Sequence, residues 1–349
     1  MIFKLEWEKA DQIVKVPNYV IKEITKEALP DLELKSYKII SGGCINLNTQ
    51  LIFDNKSPNL LLRIYLRDNK AMFKEQALFQ KLCNEIPHPQ IIKLGKFGAY
   101  YYSIMSFVDG ITLSEALLKN DITEFTQVLK DIGKALGKMQ KYKFQICGAL
   151  DKDLNAIPYP PDQDYLSYAH KCLGNQHAQE ALDSRTIYTI RDYLKKNQKY
   201  LPDMKNPVLV HGDFDPANIL VIKQNNKWKL STILDWEFAH SGTFMQDVAN
   251  MLRYSSQLSK EYEESFIKGL REQNINLPED WEKSVDLLNL IALLDCLVRD
   301  NPALRLKRLK DIKNLINNIL SRYKCFTCNS RKCFHCFFNN FFKTIITLK

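Results

Sequence analysis

Three side chains between Val208 and Phe238 have the types and the order for phosphoryl transfer. They are Asp213, Asn218 five residues later, and Asp235 beyond the next two apolar runs. Transfer from a nucleotide to a hydroxyl needs a carboxylate that orients the hydroxyl and accepts its proton. It also needs oxygen ligands that hold magnesium on the phosphates. Asp213 suits the first task, and Asn218 and Asp235 suit the second. Each residue alone has a plainer use, because Asp and Asn also make turns and end strands. All three in this order point to the chemistry.

The elements around them are short strands. Val208–Val210 is apolar and runs into His211-Gly212-Asp213. Ile219–Ile222 is a second apolar run, Gln224-Asn225-Asn226 reads as a turn, and Trp228–Leu234 returns and ends on Asp235. Such a hairpin carries polar residues at its outer ends and can gather the three in one small volume. His-x-Asp-x-x-x-x-Asn is also the spacing of the protein-kinase catalytic loop. HGDFDPANIL followed by ILDWEFA resembles the aminoglycoside phosphotransferase and choline kinase family. Gly212, and Trp236 after the metal Asp, are similar to small-molecule kinases; protein kinases carry Arg and Phe-Gly there. The resemblance runs from about Ser41 to Tyr254.

That resemblance implies an α+β, two-lobed, protein-kinase-like fold. Residues 1–107 would form a small nucleotide-binding lobe on an antiparallel sheet. Residues 108–322 would form a mostly helical lobe that carries the catalytic loop. ATP and magnesium would lie between the lobes, with a small hydroxylated acceptor against the helical one.

Upstream, residues 17–29 read as a helix, and Lys35–Ser41, Leu47–Phe53 and Leu60–Tyr65 read as strands. Ser41-Gly42-Gly43 joins the first two. A glycine pair there makes an ordinary hairpin, or lets backbone amides approach phosphates; the resemblance implies the loop over the nucleotide. The kinase pattern expects a phosphate-gripping Lys on the third strand, paired with a Glu on the next helix. Here LLLRIY puts Arg63 in that place, and the helix Asn69–Glu85 offers Glu75. Arginine is a rigid fork and not a movable point charge. Its plainer reading is an exposed strand Arg, in which case Arg67 or Lys74 would supply the cation. Tyr101–Val108 is a strand that resembles the family's hinge. Met105 would then face the adenine, with main-chain hydrogen bonds from Ser106 and Val108.

Beyond the hinge the pattern predicts helices over Thr112–Leu118, Ile122–Tyr142, much of 165–200, Phe244–Tyr254, Glu261–Leu270, Pro278–Val298 and Ala303–Tyr323, with residues 148–165 as a loop. In the family, an Asp at the position of Asp247 braces the catalytic loop. Asp215, Glu237 and Asp247 put carboxylates near the site, which could favour a cationic acceptor.

The 349 residues are 45% hydrophobic and 26% charged, as in ordinary globular proteins. The net charge of +9 is concentrated at the end. Residues 323–349 hold five Lys/Arg and no acid, leaving 44 basic against 40 acidic residues before them. The main body therefore makes no electrostatic case for nucleic acid; the basic tail is where such binding would reside. No apolar run approaches the roughly 18 residues of a membrane helix. The acidic start, MIFKLEWEKADQ, is unlike a signal peptide, so the expected compartment is the cytoplasm. Five cysteines are scattered and read as small buried hydrophobes. The other four form Cys325-x2-Cys328 and Cys333-x2-Cys336, which read as a zinc cluster of unusually short spacing or as a disordered appendage. An ATP- and magnesium-dependent kinase of a small hydroxylated molecule is the expected function, with a non-catalytic nucleotide-binding relative and, behind it, a nucleic-acid-associated protein acting through the basic tail as the alternatives.

Overall fold

The computed structural model describes residues 3–4, 7, 16–40, 46–54, 57–68, 70–82, 85–160, 164–299 and 305–327. Ser41, Gly42 and Gly43 lie outside them, and so do the tail side chains on which the zinc reading rests. The chain forms two compact units. The first comprises Met1–Pro161 and Pro202–Trp281; the second comprises Asp162–Leu201 and Glu282–Lys349.

The first unit begins with helix α1 (Asn18–Ala28) and a five-stranded antiparallel sheet. Its strands are β1 (Ser36–Ile39), β2 (Leu47–Ile52), β3 (Leu60–Tyr65), β4 (Ile91–Phe97) and β5 (Tyr100–Ser106), in the order β1-β2-β3-β5-β4. Helix α2 (Ala71–Leu82) links β3 to β4. In β2 alternate residues are buried, placing Leu47 and Leu51 inward, whereas β3 is buried almost throughout. Val20, Ile21 and Ile24 of α1 recur at helical spacing and pack with Leu47, Leu51, Leu62 and Ile104. Burying each such side chain contributes about 1.5–3 kcal/mol. The edge strand β4 is absent from the pattern-based reading because IIKLGKF is half-exposed and mixes lysines with apolar residues.

Three further elements follow: β6 (Ile111–Thr112), α3 (Leu113–Lys119) and α4 (Thr126–Met139). Thr112 was expected to open a helix. It ends β6 and caps α3, its Oγ1 accepting the Glu115 N–H at 3.2 Å. The stretch expected as a loop holds β7 (Gly148–Leu150) and β8 (Ala156–Pro158). These two pair in a sheet completed by β9 (Val208–Val210) and the later strand His240–Gly242. Three-residue strands containing Gly and Pro leave little periodicity to read.

In the second unit, α5 (Tyr165–Gly174), α6 (Gln176–Ala181) and α7 (Ser184–Asn197) each start on an Asp or Asn cap. The Tyr168 hydroxyl of α5 donates to Asp295 at 2.6 Å, on a later helix of the same unit.

Back in the first unit, β10 (Ile219–Gln224) and β11 (Lys227–Ile233) form the expected hairpin. Asn225 and Asn226 turn it with φ of 50° and 59°, the left-handed pair that a two-residue hairpin turn requires. The strand β12 (His240–Gly242), α8 (Met245–Leu252) and α9 (Lys260–Arg271) follow. Helices α4 and α9 touch backbone to backbone. A Cβ at Gly133 would lie 2.1 Å from the Phe266 carbonyl oxygen, and one at Gly269 would lie 2.0 Å from that of Lys130. Helix α10 (Trp281–Arg299) and helix α11 (Leu306–Thr327) complete the second unit.

Candidate active site

The buried strand β9 delivers His211, Gly212 and Asp213 to one end of the β10–β11 hairpin. Gly212 has φ of +85°, and a Cβ there would meet the Phe238 carbonyl oxygen at 2.6 Å, so only glycine fits. His211 is fully buried. Its Nε2–H donates to the Leu234 carbonyl at 2.9 Å, and its Nδ1 accepts the Asp213 N–H at 3.3 Å. These two bonds set the tautomer and tie the loop after β9 to the end of β11. Burial lowers the pKa of the ring and favours its neutral form.

Asp247 on α8 braces the same turn from behind. Its two carboxylate oxygens accept the His211 and Gly212 N–H groups at 2.7 and 3.0 Å. Burial pushes its pKa up to about 7, against the pull of those two donors.

Asp213 and Asn218 meet as expected. The Asn218 amide donates to Asp213 Oδ2 at 2.8 Å and to the Asp213 carbonyl at 2.9 Å. Both bonds use the amide nitrogen, which leaves the amide oxygen for a cation. The Leu234 N–H donates to the Asn218 carbonyl at 2.8 Å, fastening the start of the hairpin to its end. Asp215 is buried and caps the turn between them, accepting the Ala217 N–H at 2.8 Å.

Asp235 follows β11 in the left-handed region, with φ of 66°. Trp236 beside it is fully buried, bonded to the Ile233 carbonyl and packed on His211 and Phe79. That anchor fixes the direction in which Asp235 leaves the strand.

Arg63 is buried and not on the surface. Its Nη1 donates to Glu75 of α2 at 3.0 Å, and its Nη2 forms an ion pair with Asp235. The Tyr65 hydroxyl holds the other Glu75 oxygen at 2.6 Å and lies 3.1 Å from Ser103 Oγ. Burial raises the Glu75 pKa, against Arg63 and that hydroxyl. Arg63 Nε is buried and has no protein acceptor, an orphaned donor that a phosphate oxygen would satisfy. Lys74, the residue before Glu75 on α2, donates to the Glu237 and Ala239 carbonyls at 2.7 and 3.1 Å. It thereby pins the segment after Asp235 to α2. Asn46 donates to Glu237 at 2.9 Å. Burial and the nearby Asp235 push the Glu237 pKa up to about 7.

The hinge residues stand at the end of β5. Met105 is buried and paired with Leu61 across the sheet. The Ser106 N–H is taken by the Gln90 carbonyl at 2.8 Å. Val108 follows, half-exposed, beyond the end of the strand.

Two residues joined to the site had no signal in the sequence reading. Lys4 donates to Asp213 Oδ1 at 3.0 Å and forms an ion pair with Asp215. Asn46 stands just before β2 in a stretch that mixes polar and apolar residues. A spacing rule cannot find a contact that spans 209 residues of chain.

Over residues 36–284 the chain matches the family described as Phosphotransferase enzyme family. The chain belongs to that family. This phosphotransferase also shares its fold with solved aminoglycoside phosphotransferases. The crystal structure of aminoglycoside phosphotransferase APH(4)-Ia aligns with a TM-score of 0.65 at 16% identity, covering 87% of this chain and 99% of the other. A thermostable mutant of it, in a ternary complex with AMP-PNP and hygromycin B, gives 0.65 at 18% identity, covering 86% and 98%. A mutant aminoglycoside 2'-phosphotransferase-IIIa in its GDP complex gives 0.69 at 14% identity, covering 90% and 100%. No curated protein matches the sequence. The protein-kinase-like fold, with an antiparallel sheet ahead of a mostly helical region, is therefore established. Among the described residues no helix of this phosphotransferase is long and apolar enough to cross a membrane.

Proposed function

We propose that this phosphotransferase moves the γ-phosphoryl group of ATP to a hydroxyl of a small molecule, with Asp213 as the base. Asp213 receives the hydroxyl proton, and Asn218 fixes the carboxylate so that it faces the acceptor. Asn218 and Asp235 would hold magnesium. Among the described residues no three His, Cys, Asp or Glu gather as a metal site. One carboxylate plus one amide oxygen still suits this ion, which takes its remaining ligands from phosphates and water. When bound, its charge would offset that of the transferred group. Arg63, held by Glu75, grips the phosphates. Met105 and Val108 would receive the adenine together with the Ser106 carbonyl, the Ser106 N–H being held by Gln90, and Ser41-Gly42-Gly43 would cover the phosphates. In this reading residues 1–107 and 108–322 are the two kinase lobes.

The observation that carries the proposal is the Arg63 bridge between Glu75 and Asp235. It brings the nucleotide-gripping and metal-holding residues together, and a mere strand arginine would point to solvent. The test is magnesium-dependent consumption of ATP and of GTP, with a panel of amino sugars, amino alcohols and sugars as acceptors. Transfer that needs both magnesium and Asp213 supports the kinase. Nucleotide binding without any turnover would establish the non-catalytic relative instead.

A further inference from the structure

The carboxylates near the loop argue in sequence for a cationic acceptor, yet the structure gives each one an internal partner. Asp247 is buried on two backbone N–H groups. Glu237 accepts from Asn46. Asp215 is 3% exposed, forms an ion pair with Lys4, and has Arg253 Nη1 at 3.9 Å. Asp213 itself carries the Lys4 ammonium on Oδ1, while Asn218 occupies Oδ2. On the side of the base away from Asn218, a lysine ammonium therefore stands against the carboxylate.

Lys4 is held in place and is not a loose surface cation. Phe3 before it is 2% exposed, and its ring lies 5.2 Å from that of Tyr254. The Lys4 side chain is 17% exposed. Two carboxylates, Asp213 and Asp215, face two cations, Lys4 and Arg253, so the cluster is balanced without a ligand. An incoming ammonium would have to displace Lys4 or sit beside it, and like charges side by side disfavour binding. A hydroxyl asks for less, because a carboxylate oxygen can accept a second hydrogen bond.

We propose that Lys4 determines acceptor specificity, selecting a hydroxyl compound with no positive charge next to the reacting hydroxyl: a neutral or anionic polyol. The inference rests on Asp213 being the base.

The test measures binding by calorimetry in the presence of magnesium and AMP-PNP, with kanamycin as the polycationic probe and glucose and glycerate as the uncharged and anionic ones. The proteins are wild type, Lys4→Met, Lys4→Gln and Lys4→Arg. Kanamycin affinity is expected to rise by at least about tenfold in Lys4→Met and Lys4→Gln and to stay at the wild-type level in Lys4→Arg. Glycerate affinity should fall in the two uncharged variants, with glucose little changed. Equal kanamycin affinity in wild type and both uncharged variants, including no binding to any of them, would overturn the proposal. So would kanamycin binding to wild type more tightly than to Lys4→Met. Asp213→Asn, assayed for phosphoryl transfer, separates the two levels. Full transfer in that variant refutes Asp213 as base, whereas loss of transfer with unchanged kanamycin affinities refutes only the role of Lys4.

Discussion

Arg63 joins Glu75 and Asp235 through two nitrogens of one guanidinium, at 3.0 Å to Glu75 and in direct ion pairing with Asp235. The planar fork makes this possible, because its donors point in two fixed directions at once. A lysine ammonium would have to choose a direction or sit between. The arginine that departs from the kinase pattern thus links strand, helix and hairpin in one contact.

Replacing Arg63 tests that link. Arg63→Lys is expected to keep part of the activity, with weaker magnesium–ATP binding. Arg63→Ala should lower turnover by at least about a hundredfold, as for loss of one preorganised donor in a dry site. It should also destabilise the fold by about 3–5 kcal/mol, because Glu75 is left buried without its cation. Urea denaturation alongside steady-state kinetics measures both effects. An Arg63→Ala enzyme with normal turnover would remove Arg63 from the site.

Asp213→Asn should reduce turnover by at least about a hundredfold, within the usual range for a lost general base. Affinity for ATP should change little, since Asp213 faces Lys4 and Asn218 and not the Arg63 group. Single-turnover transfer assays with an acceptor found in the screen measure the first effect, and nucleotide titration measures the second.

The two metal candidates are expected to differ in weight. Asp235 brings a full charge, and Asn218 only a neutral oxygen. Calorimetry of the magnesium–ATP complex should show binding abolished in Asp235→Ala and weakened in Asn218→Ala. Unchanged binding in both variants would place the metal elsewhere.

Asp247 predicts a pH dependence of stability. Its pKa is raised from 3.8 to about 7, chiefly by burial. Between those values the folded chain keeps a proton that the unfolded chain releases, so stability falls as pH rises through that window. Asp247→Asn lacks this group. The stability of wild type relative to the variant should therefore decline from pH 5 to pH 7, by up to about 1.4 kcal/mol for each pH unit. Denaturation curves for both proteins at these pH values check it. A constant difference would show that the carboxylate is already charged at pH 5.

The β10–β11 hairpin was legible because its signals are local. Asn225-Asn226 suits the left-handed turn of a two-residue hairpin, and a strand-like apolar run stands on either side of it. Asp213 and Asn218 were legible for the same reason, being five residues apart on one turn. The sheet that backs β9 was not, because its strands are three residues long and come from distant parts of the chain. Lys4 was hidden more deeply. Its sequence neighbourhood is a mixture of charged and apolar residues with no period, and only the folded chain shows which carboxylates it meets. The same holds for Asp215, which reads as an acceptor-binding charge until its internal partners are seen, whereas the bracing position of Asp247 behind the loop was legible from the resemblance.

The glycine pair between α4 and α9 bears on how relatives can be recombined. Gly133 and Gly269 let each helix press against a carbonyl of the other, and a methyl group at either position would collide with it. A chimera that imports one helix from a relative whose glycine stands elsewhere would splay the pair. The two helices therefore transfer as a matched set, so segment grafts meant to change the acceptor should leave both behind or carry both together.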